Sequence, residues 1–147
     1  MKNCILVPID LAHEANFDLI FSATTTLARR HHAKLHLLSV VPTEISVWPY
    51  VPHNFVGEAQ KLTESQLEEL ARLEYADDIH WTSEAVIGPI AQTIVKRAQD
   101  LGAGLIAIAS HDPKVRDLVL GGTADRVVRR ARASVLVLHH SDCWEWS

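Results

Sequence analysis

The chain has 147 residues, 48% of them hydrophobic and 22% charged, a composition typical of one globular domain with a sizeable core. The formal net charge of −4 argues against DNA or RNA as a partner, and no apolar run approaches the ~20 residues that a membrane span requires. The N-terminus, MKNCILVPID, also lacks the apolar core of a signal peptide, so we expect a cytoplasmic protein.

The first part of the chain alternates between strand and helix patterns. CILVPID, residues 4–10, is apolar and β-branched, as expected of a buried strand that ends in a loop. Apolar residues at helical spacing predict a helix over 16–32, and KLHLLSVV predicts a second strand over 34–41. Residues 42–57 contain three prolines and show no period, so we expect either a flap over the sheet edge or a packed Ω-loop.

The second part of the chain continues this alternation. The clearest amphipathic helix covers residues 58–73, and its expected buried side consists of Leu62, Leu67, Leu70 and Leu73. The segments that follow are a strand over 78–87, a helix over 90–101, a strand over 104–109, a helix over 123–131 and a strand over 134–139. Gly88-Pro89 is predicted to begin the third helix, and Gly102 to cap its end.

This order of elements predicts a single-domain α/β fold, a Rossmann-like open parallel sheet of five strands with helices on both faces. Ligands of such sheets bind at the carboxyl ends of the strands. The residues that meet there are Pro8, Ile9 and Asp10 at the end of the first strand, Val40 and Val41 in the second, and the loop that begins with Ala109, Ser110 and His111. We therefore expect a ligand site at this edge.

Catalytic and metal-binding patterns are weak at that edge. Ser110 and His111 are adjacent, but no G-x-S-x-G elbow surrounds the serine. Asp10 and Asp112 share the edge as two loop carboxylates, a weak pattern for a cation. The histidines lack metal-ligand spacing, and the cysteines lie at opposite ends of the chain. We predict no catalytic residue and no protein-held metal, and we keep His111 as a candidate phosphate contact.

The segment LGGTADRVV indicates an anion site. Gly121, Gly122 and Thr123 precede or begin a helix, where free backbone N–H groups and the positive end of the helix dipole favour a phosphate. The glycines permit close approach and positive φ, and Thr123 supplies a hydroxyl and a candidate N-cap. An ordinary capped helix is the alternative interpretation. The segment is not a Walker loop, because the chain has no G-x-x-x-x-G-K-[ST].

Five segments in this order resemble the universal stress protein family over nearly the whole chain: ILVPID, LHLLSVV, Gly88-Pro89, LGAGLIAIAS and LGGTADRVVRRARASVLVL. The resemblance implies a stress-response regulator, a domain over 1–141 with strand order 3-2-1-4-5, and a tail over 142–147. It also implies that ATP or AMP, with or without Mg²⁺, binds at the adenine-binding and phosphate-binding positions, here Pro8, Asp10, Val40 and Gly121–Thr123.

The loop after the fourth strand departs from the pattern of the nucleotide-binding members. Ala109 and Asp112 stand where those members have the two glycines of G-x-x-G, although one branch of the family that includes nucleotide binders carries ASH-x-P, as here. An exposed carboxylate ~5 Å from a phosphate costs about 1 kcal/mol, which weakens binding without abolishing it. Lys114 and Arg116 are candidates to offset Asp112, and Asp112 is also a candidate ligand of phosphate-bound Mg²⁺.

Two functions therefore stay open. The first is an adenine-nucleotide-binding regulator rather than a fast enzyme, and the second is a dimeric interaction module of the same fold with a vestigial pocket. A flavoprotein-like or pyrophosphatase-like enzyme is remote, because neither SGGxDS nor HxGH occurs. Protein partners other than a second copy are unknown.

The last strand and the tail each suggest a contact. Val135, Leu136, Val137 and Leu138 form an apolar strand that would be an aggregation hazard as an open edge, so we expect a homodimer through this strand. The family resemblance implies the same dimer. In the tail, Trp144 and Trp146 either cover a neighbouring surface or belong to a frayed end.

Overall fold

A computed structural model describes residues 3–43, 54–110 and 121–146. The elements are β1 (Cys4–Pro8), α1 (Phe17–His31), β2 (Lys34–Val41), α2 (Phe55–Glu74), β3 (Trp81–Ile87), α3 (Ile90–Leu101), β4 (Leu105–Ala109), α4 (Gly122–Arg130) and β5 (Ser134–Leu138). The strand pairings within these residues are all parallel, and the order β3-β2-β1-β4-β5 confirms the predicted sheet. No helix in the described ranges is long and apolar enough to cross a membrane.

The core lies on both faces of the central strand β1, which is why its sequence is continuously apolar. Ile5 and Val7 belong to the apolar cluster on one face, which also takes in residues of α1 and α2. Leu6 points to the opposite face, toward α3 and α4. Successive side chains of a strand alternate between faces, so a covered sheet needs an apolar residue at every position.

The helix α2 corrects two predictions. It begins at Phe55 rather than residue 58, so the first helical turn includes residues that we expected in the preceding loop. Leu62 and Leu73 are exposed at 60% and 78%, whereas Leu67 and Ala71 are fully buried. At ~100° per residue, Leu62 and Leu73 lie more than about 100° around the helix from Leu67, and so point away from the sheet.

The two ends of α3 confirm the predicted helix signals. Gly102 adopts φ 63°, and its N–H reaches the carbonyls of Ala98 and Gln99 to close the last turn. At the other end, Gly88 is buried, and its N–H donates to Val41 O at 3.0 Å. A Cβ atom on Gly88 would collide with Thr93 Oγ1, so a larger residue here would force the Thr93 side chain to move. The hydrogen bond from Gly88 N–H to Val41 O holds the start of α3 against the carboxyl end of β2.

A polar network crosses β2, β3 and α3. His36 is 9% exposed, with Nδ1 2.7 Å from Thr82 Oγ1 and Nε2 2.8 Å from Glu84 Oε1. Arg97 Nε donates to the same carboxylate oxygen at 2.6 Å. His36 is thus a buried histidine with both ring nitrogens partnered.

Candidate functional site

A cavity of about 570 Å³ opens at the carboxyl edge of the sheet. It is bounded by the ends of β1, β2 and β4 and by residues at or near α1, α2, α3 and α4. Six predicted site residues line it: Pro8, Ile9, Asp10, Val40, Ala109 and Thr123. The edge predicted from the order of strands and helices therefore carries a ligand-sized cavity.

The other predicted contacts lie beside this cavity or outside the described residues. Ser110 and Gly122 are each next in sequence to a residue that lines it, and Gly121 precedes Gly122, but none of the three is itself in the lining. The candidate contacts His111, Asp112, Lys114 and Arg116 lie in 111–120, outside the described residues, as do residues 44–53 of the predicted flap.

The loop after β1 holds an acid and a base together at the cavity. Asp10 Oδ1 accepts the N–H of Ala12 at 3.0 Å, and Asp10 Oδ2 lies 2.9 Å from His13 Nδ1. The Asp10 side chain is 54% exposed, so the carboxylate remains open to a ligand. His13 also lines the cavity. Sequence reasoning missed it, although the D-x-x-H spacing directly after a strand was a usable signal.

The pairing between the first two strands extends to the cavity floor. Ile9 donates its N–H to Leu38 O at 2.9 Å, one residue past the end of β1. The buried hydroxyl of Ser39 donates to Ile9 O at 2.8 Å. These two bonds satisfy the backbone of Ile9 and fix the point where the chain leaves the sheet toward Asp10.

The start of α4 differs in detail from the prediction. Gly121 is the N-cap, with φ −63° and ψ 157°, and its carbonyl accepts the N–H of Asp125 at 2.9 Å. Thr123 is therefore the second helical residue and not the cap, and neither Gly121 nor Gly122 uses a positive φ. Within residues 3–43, 54–110 and 121–146, no side chain caps this helix, and a Cβ on Gly122 would meet nothing within 4 Å. None of these residues blocks the first turn at the edge of the cavity.

Helices contribute lining residues that sequence reasoning missed. They include Asn16, Phe17 and Ile20 at the start of α1, Thr63 and Gln66 on α2, and Ile90 and Ile94 on α3. Most of the lining is apolar, with a few polar groups, an arrangement that suits a small organic ligand. In the described ranges, no group of three or more histidine, cysteine or acidic side chains is placed to hold a metal ion.

The C-terminal tail, taken from the end of β5 as residues 139–146 and so longer than the predicted 142–147, folds back toward this edge. His140 Nε2 lies 2.7 Å from Asn16 Oδ1, a bond between residues 124 positions apart. Trp146 packs against the core cluster on the α1 face, and its ring contacts Trp144 edge to face at 5.7 Å. Trp144 itself is 64% exposed. Of the two interpretations of the tail, the structure favours a covering segment.

Comparison with known proteins gives a consistent result. A sequence model of the universal stress protein family matches residues 1–139. Universal stress protein G of Shigella flexneri is 25% identical, over 94% of this chain and 99% of its own length. A universal stress protein from Archaeoglobus fulgidus, solved with dAMP, is 18% identical at a TM-score of 0.64, covering 92% of this chain and 97% of its own. One solved with cAMP is 19% identical at 0.63, covering 95% and 98%. At these identities the two structures show a shared fold.

Proposed function

Because the chain belongs to the universal stress protein family, we propose that it binds an adenine nucleotide, ATP or AMP, and acts as a cytoplasmic stress-response regulator. The observation that carries this proposal is the cavity, which brings Asp10, Val40, Ala109 and Thr123 together from separate elements. Two related folds were solved with dAMP and with cAMP, which supports an adenine nucleotide as the ligand class.

In the proposed complex, the two ends of the cavity have different roles. The base lies against Ile9 and Val40, where apolar side chains surround it and the Asp10 carboxylate accepts a hydrogen bond. The ribose and phosphates extend past Ala109 toward the first turn of α4, which no side chain of the described residues caps. Backbone N–H groups and the helix dipole favour an anion there. The proposed phosphate contacts therefore include Gly121 and Gly122 as well as Thr123.

A binding role rather than fast catalysis agrees with the hydrogen bonds at the cavity. The hydroxyl of Ser39 is committed to Ile9 O, and the Asp10 carboxylate is engaged by Ala12 and His13. Asp10 is the only carboxylate among the lining residues within the described ranges. Any Mg²⁺ would therefore be bound mainly by the phosphates, with Asp112 as the proposed protein ligand.

Isothermal titration with ATP and with AMP, each with and without Mg²⁺, tests the proposal at roughly 100 μM protein, on the order of a weak-site affinity. We expect saturable heat, and about a tenfold loss of affinity in Asp10→Ala. Asp77→Ala is the matched control, since this exposed residue follows α2 and does not line the cavity. Mass spectrometry of nucleotide released from the purified protein gives an independent measurement.

The alternative is a dimeric interaction module with a vestigial pocket. Ala109, in place of the glycine of other nucleotide-binding members, favours it, because its methyl group occupies space at the cavity lining. No heat with any of the four ligand mixtures, and no released nucleotide, would support this module over nucleotide binding. Both functions include the proposed homodimer through β5, so the dimer does not distinguish them.

A further inference from the structure

We propose that Asn16 is a ligand-binding residue of the cavity and that His140, in the C-terminal tail, is the positioning residue that orients it. The inference rests on the proposed function and assigns Asn16 one task within it, donation of a hydrogen bond to the nucleotide. His140 is the first residue beyond the part of the chain that matches the family model.

The position of Asn16 supports a binding role. Asn16 is 8% exposed and lies in the cavity lining, at the N-cap of α1. Its backbone N–H is committed to His13 O at 3.1 Å, which fixes the main chain of this turn. The side-chain amide is not used to cap α1, so it is available for another partner. Among the described residues, Asn16 Nδ2 is not one of the fully buried side-chain atoms that lack a partner, so this donor stays accessible to a ligand in the cavity.

His140 defines which way the Asn16 amide faces. The oxygen Oδ1 can only accept, so the 2.7 Å contact requires a proton on His140 Nε2. Asn16 Oδ1 is therefore bonded to His140, and both hydrogens of Asn16 Nδ2 are left for other groups. Across residues 3–43, 54–110 and 121–146, no group accepts a hydrogen bond from Nδ2. The free donor therefore sits on a buried residue of the cavity lining.

The tail is anchored well enough to orient a side chain. Trp146 packs against the core cluster that also contains Ile9, Ile20 and Phe21. Trp146 fixes the chain after His140. Before His140, Leu138 O accepts the N–H of Ser110 at 2.7 Å, which fixes the end of β5. His140 can therefore hold Asn16 in one orientation. An Asn16 side chain held in this way loses less entropy when a ligand binds than a freely rotating one does.

The ligand group opposite Asn16 Nδ2 is a hydrogen-bond acceptor. A purine ring nitrogen, a ribose oxygen and a phosphate oxygen all have this chemistry, and an adenine nucleotide contains all three. The positive end of the α1 dipole adds to the preference for a lone pair or a negative charge at this point.

Asn16→Asp separates positioning from binding. An aspartate still accepts the hydrogen bond of His140, so the tail stays docked, but it has no donor for the ligand and adds a negative charge. We expect nucleotide affinity to fall by about tenfold or more. Asn3→Asp is the matched control. It makes the same change just before β1, at the opposite edge of the sheet from the cavity. The nucleotide affinity of this variant should equal that of the wild type.

His140→Ala and His140→Gln test the positioning role by titration of the nucleotide. Alanine leaves Asn16 free to rotate and should weaken binding severalfold, whereas the glutamine amide can still donate to Oδ1 and should restore most of the affinity. Hydrogen exchange of the peptide over 139–147 should rise in His140→Ala and stay at the wild-type level in Asn16→Asp.

The outcomes separate this inference from the proposed function. No binding by the wild type overturns both. Binding by the wild type together with unchanged affinity in Asn16→Asp overturns the inference alone. Equal losses in His140→Ala and His140→Gln overturn the positioning role of His140, and weaker binding in Asn16→Asp with a docked tail and rescue by glutamine support both parts.

Discussion

Glu84 on β3 and Arg97 on α3 form an ion pair across the sheet–helix interface, with Arg97 Nε 2.6 Å from Glu84 Oε1. Both side chains are 26% exposed, so solvent screens the pair less than it screens a surface pair. The same oxygen accepts the Nε2–H of His36, so one carboxylate joins two strands and a helix.

Glu84→Gln should lower the free energy of unfolding by about 1–2 kcal/mol at pH 7. Partial burial by itself would raise the pKa of Glu84, but the hydrogen bonds from His36 and Arg97, with their charge, hold it below its usual value. Stability from such a group is present above the unfolded pKa, ~4.3, and is lost as pH falls through the folded pKa.

Urea denaturation at pH 7, 4 and 3 checks this, because the difference between the wild type and Glu84→Gln should shrink as the pH falls. Glu68→Gln is the control: Glu68 pairs with Arg72 at 2.6 Å on the exposed side of α2, and its removal should have an effect below about 0.5 kcal/mol. A difference independent of pH would show that packing, and not charge, accounts for the loss.

Tyr75→Phe should cost about 1 kcal/mol, because it removes a buried hydrogen bond between α1 and the end of α2. The hydroxyls of Thr24 and Tyr75 are 2.7 Å apart, and Thr24 donates to Ile20 O at 2.6 Å, so the tyrosine is the donor. Thermal unfolding of both proteins at pH 7 measures the cost.

An alkaline pH series should show a second effect of Tyr75. Its pKa is raised far above the usual ~10, chiefly by burial. Above pH ~10, Tyr75 loses its proton in the unfolded chain and keeps it in the folded one. The free energy of unfolding of the wild type should therefore fall as the pH rises. Tyr75→Phe should lack this part of the decline. Tyr50→Phe, the same change at the only other tyrosine, should keep it.

Gly88→Ala should destabilise the protein by about 1–3 kcal/mol, because the new methyl group collides with Thr93 Oγ1. Replacing Thr93 by alanine in the same chain removes that atom, so the double variant should recover part of the loss in chemical denaturation. Gly57→Ala gives a control of opposite sign. Gly57 lies within α2, no described residue has an atom within 4 Å of its Cβ position, and alanine there should stabilise by up to about 1 kcal/mol.

Much of the fold was predictable from local pattern, and the exceptions have physical causes. The bounds of β2 and α3 match the prediction residue for residue, since a charged residue or a turn delimits each apolar pattern. In α2, leucine spacing alone could not identify the buried face. Leu67 faces the sheet because of tertiary packing, and the equally apolar Leu62 remains in solvent.

The candidate site was predictable where strands form it and unpredictable where helices do. Asp10 and Ala109 follow or end parallel strands, so the topology alone brings them to one edge. Gln66 on α2 reaches the cavity only through the rotation of its helix about its axis, which the sequence pattern does not specify. The bond between Asn16 and His140 joins positions too distant for any local pattern to connect.

The proposed dimer can be tested through the direction of the β5 backbone. Ser134 N–H donates to Gly104 O at 3.2 Å, and Leu138 O accepts the N–H of Ser110 at 2.7 Å. Both groups therefore point toward β4. Because backbone groups alternate along a strand, those of Val135 and Val137 face the open edge. Val137→Pro should therefore remove an outward N–H without breaking a bond to β4, and convert the dimer to a monomer.

Light scattering at micromolar concentration measures this. The wild type should have twice the chain mass of 16.4 kDa, and Val137→Pro the single mass. Val137→Ala, which keeps the N–H, should remain a dimer. A wild-type protein of single mass would contradict the proposal.

The strand order has a further consequence if two copies join through β5. A strand that pairs with its own symmetry mate does so antiparallel, so both β5 edges are consumed in one two-fold contact. The assembly is self-limiting: its continuous sheet ends on both sides at β3, where Glu84 and Arg97 place charge and discourage the addition of another strand. Because the strands of each copy are parallel, the two carboxyl edges then point in opposite directions. Each nucleotide cavity would open to solvent on its own end of the particle.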